Sequence, residues 1–250
     1  MSDLIFCRYR HDVDPQLSYE AAIAENPANA PSHSGSRKKR AIYGSTRLWQ
    51  PGRTLKFSFL GSPSIELKLK ILNTGSQWVS QSGANLGIAL YHDNYLQADI
   101  RIKVDPKALH NESALGTDAL LIKTNETMTL NVLPDSENFE PIVLHEFGHV
   151  FGATHEHQNP LADIPWNEDE LMNVMTKQRG WSEADVRSQF LEKQTEANTF
   201  FTTYDRESIM HYQIAQWMTL GDWEVGANKK LSEYDLAFMR RAYPLANTPT

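Results

Sequence analysis

A single cysteine, Cys7, stands in 250 residues, so no disulfide can form within the chain, and stability must come from packing or a bound metal. That scarcity favours a reducing compartment. Long apolar runs are missing too. None approaches the roughly 18–20 residues that cross a bilayer, and the opening stretch from Met1 to Arg10 lacks the apolar centre of a secretory signal. The expectation is a cytoplasmic protein, with secretion under a signal absent from this sequence as the alternative. An excess of positive charge is also lacking. With a net charge of −7 and no basic stripe, neither nucleic acid nor an anionic membrane is an expected partner, because both would repel the chain. No internal repeat is visible, and the chain reads as a monomer. What is present is ample core material, 40% hydrophobic residues with six Trp, enough for one large domain or two lobes.

Residues 1–45 differ from the rest. Leu17 to Ala24 suit a short helix, and Asn26 to Ser36 has the composition of a linker. The linker runs into Arg37-Lys38-Lys39-Arg40, either a solvated basic stretch or a processing site. Two glycosylation sequons, Asn111-Glu112-Ser113 and Asn125-Glu126-Thr127, would matter only in a secreted chain. From residue 46 the pattern is α+β. Leu55, Phe57 and Phe59 alternate with polar residues as in a half-buried strand. Ser62 to Gln81 carries Ile65, Leu69, Leu72 and Val79 at helical spacing, weakened by Gly75. Strand-like runs follow at Leu86–Tyr91, Ala98–Val104, Ala114–Thr117 and Met128–Val132. Ser136 can cap a helix running through Pro141 to about Gly152. Ser182 with Asp185, and Ser232 with Asp235, have the spacing of capping boxes. The second pair starts a last helix over about Glu233–Ala242.

The chemistry concentrates in His145-Glu146-Phe147-Gly148-His149-Val150-Phe151-Gly152-Ala153-Thr154-His155. On a helix, His145 and His149 leave one face about 6 Å apart along the axis, so both can reach a single zinc ion. Glu146 projects beside that metal, where it can serve as general base toward a water molecule. Gly152 permits the tight turn that ends the helix, after which His155 supplies a third ligand. Three protein ligands leave a fourth position for water, the mark of a catalytic zinc site. Isolated His-Glu-x-x-His strings arise by accident, but a chance match to the extended pattern is on the order of one in 10⁵ for a chain of this length.

This pattern resembles the metzincin clan of zinc peptidases. Glu156 directly after the third histidine, with Ser208-Ile209-Met210-His211-Tyr212 downstream, is similar to the astacin family in its disulfide-free bacterial and fungal form. Arg47-Leu48-Trp49-Gln50-Pro51-Gly52, Ala114-Leu115-Gly116-Thr117, His155 to Pro160 and Leu231-Ser232-Glu233 carry the likeness over roughly 47–245. The resemblance implies a twisted mixed sheet with two long helices in an upper lobe, about 46–152. A helical, loop-rich lower lobe, about 153–250, would lie across a cleft. It implies one zinc per chain and endopeptidase activity on proteins or peptides, with Glu146 as base and Tyr212 stabilising the oxyanion. Met210 would pack beneath the ligands in the Met-turn, and His211 would bind no metal. Glu156 would contact a freed amino terminus through water. An edge strand near Ala114, Leu115 and Gly116 would bind extended substrate by strand addition, and Gln213 and Ile214 would help line the specificity pocket.

Departures from that family concern the amino-terminal segment. Cys7 reads first as a small apolar residue. The alternative is that residues 1–45 block the cleft, with the Cys7 thiolate, Asp12 or Asp14 on the zinc.

Overall fold

A computed structural model describes residues 7–9, 13–30, 46–194 and 203–245. Arg37–Arg40 and Asp12 lie outside them.

Six strands form one sheet: β1 (Cys7–Tyr9), β2 (Thr54–Phe59), β3 (Gly87–Leu90), β4 (Ile100–Val104), β5 (Asn111–Ser113) and β6 (Met128–Leu130), in spatial order β1-β5-β6-β4-β2-β3. All pairings are parallel except β5 with β6. The alternation read at Leu55, Phe57 and Phe59 falls on β2, where all three side chains are fully buried. Helix α1 (Pro15–Glu25) precedes the sheet's main body. After β2 come α2 (Ile65–Gly75) and α3 (Gln77–Ser82), then α4 (Phe139–Val150) after β6. The single helix expected over 62–81 is thus two helices, parted at Ser76, whose hydroxyl turns back to the Asn73 carbonyl.

Helix α4 carries the motif. It starts slightly later than the Ser136 cap implied, because Ser136 receives the Asn138 and Phe139 amides and closes a turn of its own. Pro141 falls in the first helical turn, where its missing N–H costs nothing. The core-facing side is Val143, Leu144, Phe147 and Val150. Phe147 stacks on Phe57 of the sheet with ring centroids 5.5 Å apart. Two buried indoles, Trp78 and Trp49, donate to the Leu144 and Val150 carbonyls at 2.8 Å each. The helix ends as predicted at Gly152, whose φ is +84°. The Gly152 amide bonds the His149 carbonyl and the Ala153 amide bonds the Gly148 carbonyl, a complete Schellman closure.

The chain beyond 153 builds a second core around Leu171, Trp181, Phe190, Ile214 and Met218. It contains α5 (Glu168–Lys177) and α6 (Glu183–Val186), the latter opened by the Ser182–Asp185 capping box. The last helix, α7 (Glu233–Ala242), has the range and the capping box expected. Its packing is less obvious from sequence: Met239, Ala242 and Tyr243 join the core built by the sheet and α4.

The amino-terminal segment packs onto this body. Asn29 is buried and brackets Leu48, its amide donating to the Leu48 carbonyl at 2.7 Å and its oxygen accepting the Leu48 amide at 2.8 Å. Asn26 donates to the Trp49 carbonyl, and Glu25 pairs with Arg53 at 2.5 Å. Asn111 of the first sequon is buried and accepts the Asn131 amide at 2.7 Å.

Candidate metal centre and active site

His145 and His149 leave α4 on one face, with ring centroids 4.8 Å apart, and His155 closes in to 5.3 and 4.8 Å from them. His145 Nδ1 donates to the Ile209 carbonyl and His149 Nδ1 to the Ala153 carbonyl, each at 2.8 Å. These bonds select the tautomer that leaves both Nε2 atoms as lone-pair donors facing inward. His155 turns its own Nε2 to the same point.

Cys7 stands at that point as well, so its reading as an ordinary apolar residue does not hold. Its sulfur lies 3.2 Å from His149 Nε2 and 3.6 Å from His155 Nε2. The four donor atoms of Cys7, His145, His149 and His155 all fall within 4.8 Å of one another. Asp14, the other described candidate from this segment, instead caps α1 by accepting the Gln16 and Leu17 amides. A tetrahedral zinc with bonds of about 2.0–2.3 Å spaces its ligands by about 3.5 Å, and the sulfur–nitrogen distances match. His145 Nε2 and Glu146 Oε2 are buried without a hydrogen-bond partner among the described residues. A cation would satisfy the His145 nitrogen, and the three-nitrogen, one-sulfur donor set suits zinc, with the Glu146 oxygen left beside it.

Electrostatics agree with a site built for a charge it must be given. Burial pushes the Glu146 carboxyl up to about 8, with Glu112 adding and a bond from Cys7 opposing. Burial likewise raises the Cys7 thiol and lowers His145 to about 4. Each shift disfavours the ionised form, and a divalent cation reverses that preference for carboxylate and thiol.

Beneath the ligands, Met210 is buried against α4. A Cβ added at Gly148 would sit 2.2 Å from the Met210 sulfur and 2.8 Å from Trp78. Gly148 was not singled out from sequence, although an isolated glycine inside a helix is a known sign of close approach. Tyr212 packs 4.4 Å from the His155 ring and stacks on His157 at 4.2 Å, and its hydroxyl donates to the Cys7 carbonyl. His211 is outside the cluster of donor atoms, its Nε2 meeting the Tyr204 hydroxyl at 2.8 Å. Glu156 accepts the Asp205 amide at 2.9 Å and the Asn159 side chain at 2.8 Å. No amino terminus is among its partners in the described residues.

The strand expected near Ala114 to Gly116 lies just before them, at Asn111–Ser113. Ala114 is buried, and Gly116 opens a 3-10 turn over Gly116–Leu121 with φ of +47°, where a Cβ would lie 1.8 Å from the Arg47 carbonyl. The edge beside the metal centre is β5, Asn111–Ser113, and β1 already lies along it in parallel, Cys7 opposite Asn111. A cavity of about 100 Å³ opens beside His145 and Glu146, lined by Ile142, Tyr212, Gln213 and Lys229. Gln213 therefore lines it as expected, whereas Ile214 is buried in the second core and bridges to Val225. Asn111, Asn138 and Ile142 also line a second, larger cavity of about 590 Å³, whose walls include Arg179 and Trp181.

Two histidines one helical turn apart, a third after a glycine turn, a Met-turn beneath them and a mixed sheet above define a metzincin zinc site. Comparison with known proteins narrows the class. The profile of the Astacin peptidase family matches residues 122–244. The solved structure of myroilysin superimposes with a TM-score of 0.72 at 30% identity, covering 80% of this chain and 96% of that one. The hatching enzyme HCE-1 of Oryzias latipes, a zinc protease, shares the fold at a TM-score of 0.54 and 17% identity, over 78% of this chain and 92% of its own. Zinc metalloproteinase dpy-31 of Teladorsagia circumcincta is 26% identical over 86% of this chain and 34% of its own length. Zinc metalloproteinase nas-36 of Caenorhabditis elegans is 27% identical over 41% of this chain and 17% of its own. The chain thus spans about a third or less of these two curated nematode proteins. This chain belongs to the astacin family, whose metal is zinc.

Proposed function

We propose that the chain is a zinc endopeptidase cleaving proteins or peptides, with His145, His149 and His155 holding the metal. The observation that carries this reading is the convergence of three inward Nε2 atoms beside the buried, unpartnered Glu146 oxygen. Zinc, when bound, supplies Lewis-acid polarisation and brings the pKa of water down toward about 7. Glu146 takes a proton from the water that attacks the peptide carbon. It returns that proton to the departing amine nitrogen as the C–N bond breaks. Tyr212 donates its hydroxyl to the carbonyl oxygen as charge develops there, a contact of the kind worth about 3–4 kcal/mol. With β1 displaced, the backbone edge of β5 binds the substrate as an added strand in its place, and the cavities beside Gln213 and Arg179 receive side chains along it. The test is hydrolysis of an unstructured protein such as casein by the zinc-loaded Cys7→Ala protein, with loss on chelation. A zinc-binding module without peptidase activity would bind the metal and leave casein intact.

A second reading concerns regulation, and Cys7 favours it. With its sulfur among the histidines and β1 along β5, the amino-terminal segment occupies both the fourth ligand position and the substrate edge. The chain with this segment in place is therefore a latent form, held by a thiolate on zinc. Cys7→Ala in the full chain should raise casein hydrolysis well above wild type. Equal rates in the two proteins would refute latency while leaving the peptidase reading intact.

A further inference from the structure

Asp235 has more bonds than its place in a helix cap requires. It lies in the first turn of α7 and is 5% exposed. A capping box asks only that the carboxylate receive the amide of the cap residue, and Asp235 does accept Ser232 N at 2.9 Å. The same oxygen also accepts Ile209 N at 2.9 Å, and the other oxygen accepts the Ser208 hydroxyl at 2.6 Å. Both extra donors belong to the Met-turn. Ser208 in turn receives the Met210 amide at 3.0 Å, and Asn228 holds the Ser208 carbonyl at 2.8 Å.

Ile209 is the link to the metal centre. Its amide goes to Asp235 and its carbonyl receives His145 Nδ1 at 2.8 Å. The orientation of the His145 ring is therefore set by a loop residue 64 positions away, and that loop residue is set by α7. His149 has no such dependence, since its Nδ1 bonds Ala153 inside the turn that ends its own helix. We propose that Asp235 is a positioning residue for the zinc centre, acting through Ile209 on His145. This inference rests on the zinc-site reading above. It adds that the affinity of the site for metal is tuned from the last helix of the chain. Outer partners of ligating histidines commonly change metal affinity by about 10–100-fold when altered.

Capping and positioning can be separated. Asp235→Glu keeps the capping box, since Glu is a preferred residue at that position, but one more methylene carries the carboxylate away from Ile209 N. Ser232→Ala does the reverse, weakening the box and leaving the Asp235–Ile209 bond. Zinc affinity of each full-length variant is measured by competition with a chromogenic chelator, and melting temperature is measured on the metal-free proteins. Asp235→Glu should bind zinc about 10–100-fold more weakly with a near-native melting temperature, and its residual peptidase activity should be lost mainly in kcat. Ser232→Ala should melt lower and bind zinc within about twofold of wild type, as expected of a cap alone. Native zinc affinity in Asp235→Glu, or equal weakening in Ser232→Ala, would overturn the proposal. Failure of the wild type to bind zinc would instead overturn the functional reading beneath it.

Discussion

The metal centre is assembled from two regions held in place by different means. Residues 139–155 carry all three histidines and Glu146, and their placement along the chain is local: a helix, a Schellman turn, and His149 bonded to Ala153 only four residues on, although the His145 ring is bonded to Ile209, 64 positions away. Residues 203–214 carry Ile209, Met210 and Tyr212 and contain no regular helix or strand. They are held by Glu156, Asp235, Asn228 and Cys7, from 20 to 205 positions away in sequence. The first region owes its geometry to periodicity, the second to side chains and backbone groups arriving from elsewhere. Local periodicity therefore delivers ligands, while tertiary contacts deliver their orientation and the groups that meet the substrate.

The largest effect expected tests the first region alone. Glu146→Ala should retain zinc and lose turnover by about 10⁴-fold, the upper range for a positioned base. Near-native casein hydrolysis by that variant would remove Glu146 from the reaction. The second region should yield a smaller loss. Tyr212→Phe removes one donor and should lower kcat by about 10²-fold with little change in KM. If KM rises instead, Tyr212 acts on ground-state binding and the division between the regions is drawn wrongly. The seam between them can be broken at Gly148. A methyl there would meet Met210 at 2.2 Å, and Gly148→Ala should cost about 1–3 kcal/mol by overpacking. Adding Met210→Ala should recover part of that loss in a denaturation experiment. A strictly additive double variant would mean that the two regions do not press on each other there.

This contrast also explains what could be read from the chain. The ligand helix, its stop at Gly152, the alternating strand at 54–59 and the helix 233–242 all follow from short-range patterns. Capping boxes at Ser182 and Ser232 were legible for the same reason. The strand read at Ala114–Thr117 lies a few residues earlier, at 111–113, because Gly116 takes a positive φ against the Arg47 carbonyl, which also receives the Thr117 amide, and no local pattern announces that approach. The place of Cys7 is not legible locally, because nothing near it in sequence hints at a metal. Its meeting with His149 spans 142 positions and depends on β1 joining β5. Ile214 was expected in the pocket and is buried instead, since its neighbour Gln213 takes the side of the strand-like stretch that faces the cavity.

The smallest expected effect lies farthest from the metal and sharpens the contrast most. Asn29 is 1% exposed and satisfies both the amide and the carbonyl of Leu48, which is itself 1% exposed. It also holds the Ala22 carbonyl and the Thr46 hydroxyl. Asn29→Ala strands two backbone groups of Leu48 in a buried site, at a cost of about 1–3 kcal/mol. Because Leu48 belongs to the main core and Ala22 to α1, the bond joins the amino-terminal segment to the body independently of Cys7. Asn29→Ala should therefore lower the denaturation midpoint while the zinc affinity of the full chain stays near native. A matching fall in zinc affinity would show that the anchor at Asn29 and the thiol at Cys7 act as one unit, and the metal centre would then depend on tertiary contacts even for its ligands.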